Sequence, residues 1–114
     1  MQYLLLIYEN ENRFTGLSES DFGAELGEYT EFGKKHAGII KGGNALQPTT
    51  TAKTVRVRNG KISTTDGPFA ETKEQLGGYY LVEASSVDEA LKAAAQIPGA
   101  RYGCVEVRPI MTFS

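Results

Sequence analysis

The stretch QYLLLIY, residues 2–8, decides the fold. It is an apolar run of strand length, rich in aromatic and branched side chains, and it predicts a central β-strand. Side chains alternate along a strand, so Tyr3, Leu5 and Ile7 point one way and Leu4, Leu6 and Tyr8 the other. Both faces are apolar, so both sides of the sheet built on this strand need cover. The run is far shorter than the roughly 20 residues a membrane-spanning helix needs. With neither a basic leader nor a small-residue cleavage site near it, the chain is expected to be cytoplasmic and free of the membrane.

Working outward, Ser18 and Asp21 form a capping pattern, after which Phe22, Leu26, Tyr29 and Phe32 recur at helical spacing with His36 on the same stripe. A first helix is expected over about 19–37, ended by Gly38. Ile39-Ile40 ahead of Gly42-Gly43 predicts a short, bent second strand that stops at Pro48. Thr54-Val55-Arg56-Val57-Arg58 alternates strictly, Asn59-Gly60 is a strong hairpin signal, and Lys61-Ile62-Ser63-Thr64 makes the return strand. Asp66 to Leu76 has turn chemistry and four charges but no period, and long loops in small domains often carry function. Gly78 to Ala84 predicts another strand, and Ser86 to Glu89 caps a second helix with Val87, Ala90, Leu91, Ala94 and Ile97 on its apolar face. Pro98-Gly99 ends that helix, and Tyr102 to Arg108 alternates as a last strand.

Strand-helix-strand thus occurs twice with a hairpin between, in a chain of 114 residues, the size of a single domain spanning 1–114. Right-handed crossovers turn this order into an α+β, ferredoxin-like antiparallel sheet with two helices on one face and an inserted β-hairpin. Two helices leave the other face bare, and a bare face carrying Leu and Tyr is a sticky patch. A second copy packed face to face answers this, giving a homodimer of the dimeric α+β barrel kind with a cleft between the sheets. A loop of the same chain folded over the face is the alternative.

Composition narrows the chemistry. Twelve Lys and Arg against fourteen Asp and Glu give a net charge of -2, and no stretch concentrates positive charge as a direct nucleic-acid binder would. Cys104, the single cysteine, excludes an internal disulfide, and its strand position predicts a small buried hydrophobe. One histidine cannot supply a facial metal set, and no phosphate-loop spacing occurs, so neither metal nor cofactor is expected. His36, in the last helical turn, suits the helix dipole and a capping or surface role.

Asp66-Gly67-Pro68-Phe69-Ala70-Glu71-Thr72-Lys73-Glu74, then Gly77-Gly78-Tyr79-Tyr80, and finally Val105-Glu106-Val107-Arg108-Pro109 carry a resemblance. Together with the opening strand and Leu46-Gln47-Pro48, they resemble the YCII-related family in its DGPF branch over nearly the whole chain. The resemblance implies a ferredoxin-like fold and dimers of the α+β barrel type. Some members of that family are encoded beside alternative sigma factors, which implies a regulatory interaction module as a second class of function. A His and Asp pair is carried by one branch, but its His lies nearer the helix start than His36 does, so the pair does not map onto this chain.

Asp66 precedes a Gly-Pro pair that holds its side chain in one place, either as an Asx-turn acceptor or as a catalytic carboxylate with Glu71 beside it. Phe69 is expected to anchor the loop. If Val105 and Val107 face the helices, Glu106 and Arg108 face the opposite side. The same alternation puts Arg56 and Arg58 there when Val55 and Val57 are buried. A cleft lined by Arg56, Arg58, Lys73, Glu106 and Arg108, with Asp66 and Glu71 as catalytic carboxylates, suits a small anionic or polar ligand. Salt bridges within or between subunits account for the same charges without chemistry. The expected function is a small-molecule enzyme or ligand binder with a polar cleft near the DGPF loop, and the alternative is a module that binds a sigma factor.

Overall fold

The computed structural model describes residues 1–113. The elements follow in the order β1 (Gln2–Glu9), α1 (Glu19–Lys35), β2 (Ile40–Ala45), β3 (Lys53–Arg58), β4 (Lys61–Asp66), β5 (Gln75–Glu83), α2 (Val87–Ala94) and β6 (Cys104–Pro109). Four strands form one antiparallel sheet in the order β2-β5-β1-β6, with β1 inside, as its apolar run requires. This is the α+β, ferredoxin-like order. Both helices start on side-chain caps: Ser18 Oγ accepts the Asp21 N–H at 3.1 Å, and Ser86 Oγ the Glu89 N–H at 3.2 Å. At the other end of α1, His36 is the C-cap residue, its ring 4.7 Å from the Phe32 ring and its Nε2 2.9 Å from Gln96 Oε1. No helix among the described residues is long and apolar enough to cross a membrane.

Tyr3, Leu5 and Ile7 are buried beneath the helices with Phe32, Val82 and Ile97. Leu4, Leu6 and Tyr8 form the opposite face, only half-buried in one chain. On that face they meet Leu81 and Tyr79 of β5 on one side and Arg108, Glu106 and Cys104 of β6 on the other. Cys104 is therefore exposed rather than buried, because β6 is an edge strand and its outward face is uncovered. Its thiol points at Glu74 Oε1, 3.8 Å away. Partial burial, then the Glu74 carboxylate, pushes the thiol pKa up and keeps it protonated.

β3 and β4 pair only with each other, as a separate two-stranded ribbon. Its turn holds Asn59 at φ 53° and Gly60 at φ 76°, the left-handed pair whose twist matches the flanking strands. Val55, Val57 and Ile62, which share one face of the ribbon, are all more than half exposed. The condition that put Arg56 and Arg58 on the sheet face is thus unmet. They sit on the ribbon, because Pro48 and the 3₁₀ turn Thr49–Thr51 carry the chain off the sheet after β2. Phe69 is 78% exposed and anchors nothing within one chain. The result is a plate 48 × 47 × 19 Å, with a radius of gyration of 16.2 Å, against about 13 Å for a compact chain of this length.

Candidate functional site

Strand alternation puts Glu9, the last residue of β1, on the same inward face as Ile7, where it is only 7% exposed. A carboxylate in that position costs several kcal/mol unless it is paired. The partner comes from the 3₁₀ turn Glu11–Gly16, four residues on: Arg13 Nε donates to Glu9 Oε2 at 3.0 Å. The same guanidinium reaches α1, where Nη2 lies 2.9 Å from Glu25 Oε1, a second carboxylate only 7% exposed. Arg13 is also close to two rings, 4.5 Å from Phe14 and 4.0 Å from Tyr102. Burial pulls its pKa down, but the hydrogen bonds and charges of Glu9 and Glu25 more than reverse this. Two carboxylates share one arginine, so the cluster keeps a net negative charge.

Tyr29 stands one helical turn after Glu25, and its hydroxyl accepts the Gly99 N–H at 3.2 Å. Gly99 has no room for a side chain: a Cβ there would lie 2.3 Å from Glu9 Oε1 and 2.9 Å from the Tyr29 hydroxyl. The carboxylate oxygen and the phenol therefore flank one point above Gly99. Burial first, and then the negative charge of Glu9, pushes the Tyr29 pKa up to about 12. Tyr29 therefore remains a hydrogen-bond donor across the physiological range. Because its folded pKa lies above the ordinary value of 10.0, the stability it contributes is fully present below about pH 10 and lost as pH climbs toward 12. An absorbance titration should show Tyr29→Phe losing amplitude at the alkaline end of the tyrosine curve; a loss centred near pH 10 would refute the assignment.

Glu9, Glu25 and Tyr29 line the polar end of a cavity of about 860 Å³, open on one side. α1 and the Glu11–Gly16 turn form one wall, and the end of β2, its following segment and the start of β5 form the other. Phe22 and Leu26, on the apolar stripe of α1, are about half exposed because they face this space. Its rim is tied down by polar contacts: Glu11 Oε2 accepts the Thr49 N–H at 3.1 Å, and the Glu11 N–H donates to Gln75 Oε1 at 2.9 Å. Arg13 already compensates the two buried carboxylates, and among the described residues no three His, Cys, Asp or Glu side chains converge to hold a metal.

The seven residues singled out in the sequence lie elsewhere and do not line this cavity. Arg56, Arg58 and Asp66 are on the ribbon, where Asp66 accepts from Lys53 Nζ at 2.6 Å rather than closing an Asx-turn. Glu71 and Lys73 are exposed on the 67–74 loop. Glu106 and Arg108 are the only two of the seven found together, as an ion pair on the open sheet face with Nε to Oε2 at 2.7 Å. The signals for the cavity were nevertheless present in the chain: Glu9 keeps the inward parity of Tyr3, Leu5 and Ile7, and Glu25 and Tyr29 are spaced one helical turn apart.

The sequence pattern of the YCII-related domain matches residues 1–114. The chain is 37% identical over 117 residues to an uncharacterized protein of Rhizobium meliloti (strain 1021), covering 99% of this chain and 94% of that one. Among solved structures, 5-chloro-2-hydroxyhydroquinone dehydrochlorinase (TftG) from Burkholderia phenoliruptrix, in complex with 2,5-dihydroxybenzoquinone, is similar with a TM-score of 0.52. That similarity covers 97% of this chain and 94% of that chain, at 13% identity. The last of these shows a shared fold.

Proposed function

The chain belongs to the YCII-related domain family, and on that premise we propose that it is a small-molecule enzyme or ligand binder whose ligand occupies the cavity between α1 and the β2–β5 edge. The observation that carries this reading is the meeting of Glu9 and Tyr29 above Gly99, at the polar end of a large cavity. A carboxylate beside a phenol that stays protonated is an acceptor next to a donor, the minimum equipment for moving a proton on a bound molecule. The rest of the cavity is mostly apolar, which is how small-molecule sites secure affinity around a few polar groups. A protein of the same fold, the dehydrochlorinase, is an enzyme that holds a small ring compound, and this supports the reading by analogy.

Two finer statements belong to the same proposal. The chain sits in the DGPF branch, supported by Asp66-Gly67-Pro68-Phe69, and it works as a homodimer through the open sheet face. In that arrangement Arg56, Arg58, Asp66, Glu71, Lys73, Glu106 and Arg108 supply charge around the joint between copies rather than around the ligand. The sigma-factor association rests on the family resemblance alone.

Leu26 is half exposed at the cavity wall, so Leu26→Trp should narrow the space and weaken binding of a ligand found by thermal-shift screening. Because the site is not packed core, stability should change by less than about 1 kcal/mol. Unchanged binding in a folded Leu26→Trp protein would refute the location.

A further inference from the structure

The charge of the cavity is one-sided. Three carboxylates line it, Glu9, Glu11 and Glu25, while Lys, Arg and His are absent from its lining. Arg13 stands behind Glu9 and Glu25, and its Nε and Nη2 groups are already engaged by them. Glu9 Oε1 and Glu25 Oε2 accept no hydrogen bond from the described residues, so each carboxylate keeps one oxygen for whatever enters. Aromatic rings share the space: Phe14 and Phe22 stand on the same wall as the carboxylates, and Tyr80 lines it from β5. Ring faces carry negative potential and attract cations, as do carboxylates in a partly dry site. An anion would meet like charge at the carboxylate side and find no free fork to bind it.

Resting on the reading of this cavity as a ligand site, we infer that it selects a cationic, ring-bearing amine, with the ammonium at Glu9 and Glu25 and the ring against the aromatic wall. The anionic ligand suggested by the arginines of the ribbon and β6 is unsuited to this space. Neutral ring compounds with hydroxyl donors fall between, since they satisfy the free carboxylate oxygens but bring no charge.

Benzylamine, benzyl alcohol and benzoate share a ring and differ in charge, and their binding is measured by NMR shift perturbation on the full chain. Affinities for molecules this small are expected on the order of millimolar, with perturbations at Tyr29, Phe22 and Tyr80. The order should be benzylamine, then benzyl alcohol, then benzoate, with roughly tenfold or more between the ends. Glu11→Gln, at the rim, should reduce the preference for benzylamine over benzyl alcohol without unfolding the protein, since its contacts to Thr49 can be kept by an amide. Benzoate binding as well as benzylamine would overturn the selectivity while leaving the ligand site intact. If none of the three perturbs the cavity residues at about 10 mM, several times the expected dissociation constant, the site itself is overturned.

Discussion

Arg13→Met should destabilise the fold by about 3–5 kcal/mol, the cost of leaving buried carboxylates without their counter-charge. Glu9 and Glu25 are each only 7% exposed, and both are held by this one guanidinium. Methionine keeps much of the apolar stem but gives up the guanidinium that lies against Phe14 and Tyr102, so the loss combines the counter-charge with its ring contacts. Urea unfolding followed by circular dichroism reads the effect as a lower midpoint at unchanged slope. The triple replacement Arg13→Met, Glu9→Leu, Glu25→Leu should recover most of the stability, because a buried ionic cluster exchanged for apolar groups is often neutral. It should also lose the ligand site. A single-variant cost under about 1 kcal/mol would mean that water reaches the cluster freely and that the carboxylates are not buried in solution.

The second large effect concerns the open face of the sheet. The native protein should sediment as a dimer at micromolar concentration, and Leu6→Lys should convert it to a monomer. Leu6 lies at the middle of that face, between Tyr79 and Glu106 across the neighbouring strands. In one chain Leu6 is half-buried, so a lysine there can lay its stem along the sheet and reach Glu106 without disturbing the fold. In a two-fold dimer the same change acts twice, each time removing about 1.5–3 kcal/mol of apolar burial, so the dissociation constant should rise by a factor on the order of a hundred or more. The flat, extended plate supports this arrangement, as do the exposed Val55, Val57, Ile62 and Phe69. A wild-type chain that remains monomeric at about 100 μM, well above the dissociation constant a standard-sized interface supports, would remove the dimer from the proposal.

Much of the fold was legible because it rests on local signals. The parity of residues 2–8 separates the covered face from the open one, and that separation is observed: Tyr3, Leu5 and Ile7 are buried while Leu4, Leu6 and Tyr8 remain half-buried. Ser18 and Ser86 cap their helices by hydrogen bonds that involve only three residues of sequence separation. The placement of the charges was less legible. Alternation says which residues share a face of their own strand, but Arg56 and Arg58 could be assigned to the main sheet only by assuming that their ribbon joins it. The ribbon leaves it, and Asp66 meets Lys53 there.

The sequence by itself determined the order of the elements, the interior position of β1 and the two-faced apolar character that calls for a second layer of cover. Only the tertiary structure decided where the cavity lies. Phe22 and Leu26 belong to the apolar stripe of α1, but periodicity records which side of a helix is apolar and not whether another surface reaches it. Glu9, Arg13, Glu25 and Tyr29 are brought together from one strand end, one 3₁₀ turn and one helix, over Gly99 from a distant part of the chain. Those contacts depend on how the crossover places α1 above β1, a matter of three-dimensional packing that no spacing along the chain encodes.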